Sequence, residues 1–340
     1  MLAREDLPGM ESVCAEMLNV LDPADAIYEA AIAFGALTRT MFILGNKELA
    51  KRLLAATLSV HVPENSLRAR GYALSACMMA AGFAGDLGSA IAHGQRALTL
   101  FQDAGAAYEL SLAFVDLGYW LLLVGAYFEA EDVLAQALEA PSSTAVHRVM
   151  YQQNLGLCAL HTGRLTEAMD YLRASADGLA IWPSMHREHA FSLAHLAEAQ
   201  LAQGKLEEAD RSCQRALAVV LPETAPDADA YTSSVHSRVL LALGRISEAD
   251  LASAKGSAAL EGDAYPDLRM TICNARIECL LAAAKTEAAD QLVASSHAWL
   301  SERAAKISDP AMRRRFLNDV PENRRALSLA KSRVGLLEQL

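Results

Sequence analysis

An alanine returns along this chain with a beat of about forty residues, and no other feature narrows the possible folds so far. It stands at Ala50, Ala90, Ala130, Ala168, Ala209, Ala249 and, in a weaker copy, Ala288, at intervals of 40, 40, 38, 41, 40 and 39 residues. Five residues before each lies Gly45, Gly85, Gly125, Gly163, Gly204 or Gly244, with Ala283 in the last copy. Helices commonly end on a residue at positive φ, which glycine adopts without steric cost. Each copy therefore reads as one helix, a tight turn and a second helix.

A second small residue follows seven after the marker (Thr57, Ala97, Ala137, Ser175, Ala216, Gly256, Ser295), and a larger one often four after it, as at Leu54, Leu134, Leu172 and Leu292. Offsets of four and seven share one helical face. Small side chains there let two helices approach closely. Upstream, "YQQNLGLCALHTG" (151–163), "FSLAHLAEAQLAQG" (191–204) and "LSLAFVDLGYWLLLVG" (110–125) align without gaps on Leu155, Leu196 and Leu117. Pro63, Pro141, Pro183, Pro222 and Pro266 fall between copies, where they end one helix and begin the next. One hairpin cannot bury its own apolar faces, so neighbours must stack. The expectation is an all-α chain: a right-handed α-solenoid of about seven hairpins over residues 23–300. An N-terminal capping helix (1–22) and a C-terminal capping segment (301–340) would close its ends.

Composition agrees. Hydrophobic residues make up 53% of the chain, mostly Ala and Leu, and β-branched and aromatic residues are sparse, which favours helix. The six cysteines are scattered without paired spacing, as suits a reducing cytoplasm. The N-terminus carries acids where a signal peptide would need an apolar run. The longest apolar stretch, "LGYWLLLVGAYF" (117–128), falls short of the ~20 residues that span a bilayer. The expected setting is soluble and cytoplasmic, with no membrane contact. A net charge of −11 argues against nucleic acid as a general partner, because phosphate binding needs clustered cations.

The Leu-Gly or Leu-Ala pair of the first helix, the glycine turn and the alanine of the second helix resemble the tetratricopeptide repeat over roughly residues 24–300. The period exceeds the usual repeat of about 34 residues. It is similar to the longer variant in the helical tails of bacterial maltose-regulator-like transcription factors and of some Ser/Thr kinases and ATPases. The stretch "ISDPAMRRRFLNDVPENRRALSLA" (307–330) looks like the closing segment of the kinase- and ATPase-linked tails. The resemblance implies a module that binds a protein or peptide on a concave face lined by the first helices.

The residue before the Leu of each pair samples that face: Ala36, Ala76, Asp116, Asn154, His195, Val235 and Asn274. An amide there can both donate to and accept from a bound backbone. Tyr119, Tyr151, Gln152 and Tyr231 lie near the same surface, and Arg238 and Arg276 could receive an acidic group. Tyr151 and Gln152 are expected to be exposed, whereas Trp120, inside an apolar run, is expected in the core. Each of these side chains could equally face solvent or pack between helices.

"HREHAFSLAH" (186–195) holds three histidines, but its spacing lacks a HExxH pattern and reads as surface histidines rather than a metal site. No GxSxG, GxxxxGK[ST] or GxGxxG is present, so neither catalysis nor a cofactor is expected. The stretch 302–333 carries nine basic and four acidic residues, and self-association through it is a further expectation. The leading reading is a non-enzymatic adaptor with an open groove. Its rivals are a sensor with an internal pocket for a small molecule or signalling peptide, and an enzyme hidden in the array.

Overall fold

The computed structural model describes residues 7–20, 28–140, 144–260 and 265–335. The outermost ends of both expected caps and residue 23, where the array was expected to start, lie outside them. Helix α1 spans Leu7–Val20. Seven antiparallel hairpins follow: α2 (Glu29–Leu44) with α3 (Lys47–Ser59), α4 (Leu67–Ala84) with α5 (Leu87–Asp103), and α6 (Ala107–Leu123) with α7 (Tyr127–Glu139). Next come α8 (Ala145–His161) with α9 (Leu165–Leu179), and α10 (His186–Ala202) with α11 (Leu206–Val219). The last two are α12 (Pro226–Ala242) with α13 (Ile246–Ala258), and α14 (Arg269–Ala282) with α15 (Thr286–Ala305). Helices α16 (Pro310–Asn318) and α17 (Pro321–Val334) follow, and no strand occurs among the described residues.

Each hairpin turns through one hydrogen-bonded motif. The amide of the first residue past the turn donates to a carbonyl five residues back, from Asn46 to Met41 in the first hairpin and from Lys285 to Leu280 in the last. This bond caps the open carbonyls of the first helix, and it requires a residue of positive φ beside it. Glycine supplies that residue in six hairpins; in the seventh it is Ala284, at φ 58°. The turn thus falls one residue later than Ala283, whose φ is −85°. The buried marker shifts with it, since Ala289 is fully buried whereas Ala288 is exposed. Val293 and Ser296 are likewise buried in place of Leu292 and Ser295. An alanine-rich stretch offers several nearly equivalent registers, and packing selects one.

Close approach within hairpins depends on the small residue of the Leu-Gly pair. A Cβ on Gly118 would lie 2.7 Å from Leu134, and one on Gly156 2.5 Å from Leu172, so a larger residue would push the helices apart.

The spiral is not open. The end of α15 and the helices after it fold back on the second and third hairpins. Arg303 donates to the carbonyls of Gly82 (3.1 Å) and Phe83 (3.2 Å), which closes the end of α4. Arg315 reaches Glu129, and the Tyr127 hydroxyl reaches the Asp319 carbonyl. Leu300, Ile307, Phe316 and Leu317 join the same apolar core as Phe42, Met79 and Trp120. Arg313 and Arg324 bond to carbonyls of their own segment, and Arg333 pairs with Asp290. Much of the basic C-terminal charge is thereby used inside the chain.

Candidate functional site

Side chains two repeats apart can meet only on the inside of a curved stack. Arg39 of α2 reaches past α4 to Asp116 of α6, with two parallel bonds of 2.6 and 2.7 Å. The first helices therefore form the inner face. Farther along, the Tyr119 hydroxyl bonds to Asp267, just before α14, bridging the third repeat to the seventh. Burial pushes both this phenol and the Asp267 carboxyl upward.

Two charge ladders follow the forty-residue period across this face. Arg187, Asp227 and Asp267 form the first, in which Arg187 binds Asp227 at 2.6 and 2.8 Å. Glu198, Arg238 and Glu278 form the second. Here Arg238 lies 3.6 Å from Glu198 and 3.5 Å from Glu278, and Arg325 of α17 lies 3.3 Å from Glu278. These are ion pairs without hydrogen-bond geometry, so much donor capacity of both guanidinium groups stays unused.

The second ladder continues into a buried trio. Tyr231 Oη lies 2.8 Å from His195 Nδ1 and donates to Glu198. Burial acts to raise the Glu198 carboxyl, but His195 and Arg238 outweigh it and hold the group below the usual carboxylate range. Tyr231 moves the opposite way, raised by burial and by the Glu198 charge. The phenol thus stays protonated and the carboxylate ionised, each satisfying the other.

Beside the trio opens a pocket of about 410 Å³ between α12, α14 and the start of α17, lined by Arg238, Thr271, Asn274, Glu278, Glu322 and Arg325. Asn274 donates through Nδ2 to the Glu322 carbonyl at 2.9 Å, while its buried Oδ1 has no hydrogen-bond partner among the described residues. A buried acceptor left unpaired costs ~1–3 kcal/mol, which a ligand's N–H would recover.

Of the ten residues that the sequence singled out, Arg238 and Asn274 line this pocket, and His195 and Tyr231 lie beside it in the trio that Glu198 joins to Arg238. Asn154 is buried and makes no side-chain hydrogen bond among the described residues. Gln152 is half-buried. Asp116 and Tyr119 serve the cross-face contacts already described. Tyr151 is fully buried rather than exposed, its hydroxyl donating to the Ser111 carbonyl at 2.9 Å, because it fills the seam between α6 and α8. Arg276 turns away from the pocket and binds Asp250 and Ser253 of α13. Trp120 is in the core as expected, edge-on to Phe83.

Asn274 reaches the pocket for a reason the repeat pattern did not contain. With the seventh repeat shifted by one, Ala275 takes the place equivalent to Asp116, Asn154 and His195, and Asn274 turns toward α17. Glu198, Glu278, Glu322 and Arg325 were not singled out by sequence. For the first two a signal existed, since charge alternates at 198, 238 and 278. For the α17 residues none did. Among the described residues no group of three or more metal-binding side chains is found, and no helix is long and apolar enough to cross a membrane.

No protein-family model matches the chain, and no curated protein matches it either. Solved structures do. Aspartyl phosphate phosphatase F from Bacillus subtilis is similar with a TM-score of 0.59 at 13% identity, over 98% of this chain and 90% of that one. A Rap protein complexed with Competence and Sporulation Factor gives 0.57 at 13% identity, over 98% and 99%. The Rap conjugation gene regulator of plasmid pLS20, in complex with the Phr* peptide, gives 0.55 at 13%, over 91% and 98%. At such identities the likeness is one of fold. The chain is a tetratricopeptide-like repeat protein: an all-α solenoid of stacked hairpins, closed by a C-terminal pair of helices.

Proposed function

We propose that this protein is a regulatory module that binds a short peptide on its inner face, in the pocket between the sixth and seventh repeats. The observation that carries the reading is the unpaired Asn274 Oδ1 in a pocket whose two guanidinium groups make only loose ion pairs. A peptide supplies the N–H donors and carbonyl acceptors that such a lining leaves unmatched. The volume falls in the ~300–1,000 Å³ range of preformed ligand sites. Two of the similar solved proteins are described as complexes with Competence and Sporulation Factor or with a Phr* peptide, and this supports the same ligand class here.

The closed spiral favours a small ligand over a large protein laid along an open groove. It shifts the reading from adaptor toward peptide-responsive regulator. Binding rather than chemistry is the function the site suits, because Tyr231, His195 and Glu198 spend their hydrogen bonds on one another.

Immobilised protein exposed to a random pentapeptide pool, with retained peptides read by mass spectrometry, tests the proposal. The expected result is a restricted set of sequences, lost at least tenfold in Arg238→Gln and reduced in Asn274→Ala. Retention no greater than on bare resin, or the same peptides on Arg238→Gln, would end it.

A further inference from the structure

A second groove opens on the opposite side of the stack, and its chemistry differs from that of the inner pocket. It holds about 300 Å³ between the outer helices α9 and α11 and the flank of α10, and it is edged by Arg173, Arg211 and Arg215. Arg211 and Arg215 stand four residues apart on α11, and Arg173 faces them from α9. Arg173 has only a 3.4 Å contact to Asp170 on its own helix. Arg211 and Arg215 make no ion pair or hydrogen bond among the described residues, although Asp177 and Glu208 also border the groove.

Like charges at i, i+4 disfavour a helix by a few tenths of a kcal/mol, and Glu207 and Glu208, four and three residues before Arg211 on the same helix, act against that cost. The groove sets three arginines against two carboxylates, Asp177 and Glu208, in a chain that as a whole bears −11. A buried polar group completes the lining. Gln200 is only 5% exposed; its Oε1 accepts from Ser212 Oγ at 2.8 Å, and its Nε2 makes no hydrogen bond among the described residues. Ala176 and Leu196 give the groove an apolar patch beside these donors.

We infer that this groove is a second binding site, for the phosphate group of a small phosphorylated ligand. Guanidinium groups on two helices and an amide on a third approach from different directions, as the several oxygens of a tetrahedral oxyanion require. A carboxylate offers only two oxygens in one plane. The groove also exceeds what a bare phosphate fills, and the apolar patch would meet the body of the ester. The site stands on its own observations and does not depend on the peptide reading.

The test is titration of the full chain with phosphoserine, inorganic phosphate or acetate at constant ionic strength, followed by calorimetry and by arginine side-chain NMR. Phosphoserine and phosphate should bind in the millimolar range or tighter and shift two or three arginine Nε signals. Arg211→Gln/Arg215→Gln should weaken binding at least tenfold, Gln200→Leu severalfold, and Arg314→Gln not at all. Acetate binding as well as phosphoserine, an equal loss in Arg314→Gln, or no binding of either phosphate probe would each overturn the inference.

Discussion

The two halves of the molecule repeat one backbone and fill it differently. Between the first three hairpins the space is taken by Phe34, Met41, Phe42, Met78, Met79 and Trp120, and the closing helices add Phe316 and Leu317 to the same core. Phe42 stacks on Phe83 at 5.5 Å, and Phe83 meets Trp120 edge-on at 5.6 Å. Between the fifth and sixth hairpins the core mixes Ala190, Ala194, Ala197, Ala209, Ala216, Ala228 and Cys213 with fewer large side chains, chiefly Phe191, Leu193 and Tyr231. Bulky side chains fasten one half to the C-terminal segment. Small ones let the helices of the other half approach closely, and its specific chemistry lies in polar groups on the inner and outer faces. The lesson is a division of labour within one repeat: apolar volume anchors one half, and polar side chains line the pockets of the other.

That contrast can be broken by mutation, most forcefully in the anchoring half. Trp120→Ala should cost ~3–5 kcal/mol by urea unfolding, since the ring fills a space shaped by Gly82. A loss below 1 kcal/mol would mean that the anchor lies elsewhere. Asp116→Ala leaves the Arg39 guanidinium without its carboxylate and should cost ~3 kcal/mol. In the thin-cored half, Ala209→Leu should cost ~1–3 kcal/mol through overpacking, because Ala209 is fully buried. No change there would show the alanine seam to be loose, and the comparison would fail.

The smallest effect concerns pH. Asp267 is raised above its ordinary value by burial, with Asp227 adding to the shift while Tyr119 and Arg187 oppose it. From pH ~4 up to the raised value, the folded chain keeps a proton that the unfolded chain releases, so stability falls as pH rises through that window. Asp267→Asn should flatten this slope, read as urea midpoints measured across that pH range. An unchanged profile would remove Asp267 from the account.

The repeat, its turns and its close-packed faces were legible in the sequence because each is a local pattern repeated many times. The register of the seventh hairpin was not, since "LLAAAKTEAADQ" (280–291) offers several alanines and no glycine to choose between them. Near the pocket, His195, Tyr231 and Arg238 stand at positions reached by counting along first helices. The fate of Asn274 depended on α17, which meets it from 48 residues away in the chain. Tyr151 and Arg276 were misassigned because periodicity fixes a helical face only coarsely, and one residue rotates a side chain by about 100°. Comparing charge at a fixed offset would have recovered Glu198 and Glu278. It would also have found the outer series Asp210, Asp250 and Asp290, each of which binds a cation on a neighbouring helix.

The bond from Arg303 to the end of α4 has a mechanical consequence. A helical-repeat stack with loose ends behaves as a spring, whose coils extend or tighten in small steps at every interface. Here a late coil is hooked to an early one, so gradual stretching is suppressed until the hook releases. Force or ligand energy applied at the seventh repeat would then produce little movement at first and an abrupt lengthening afterwards.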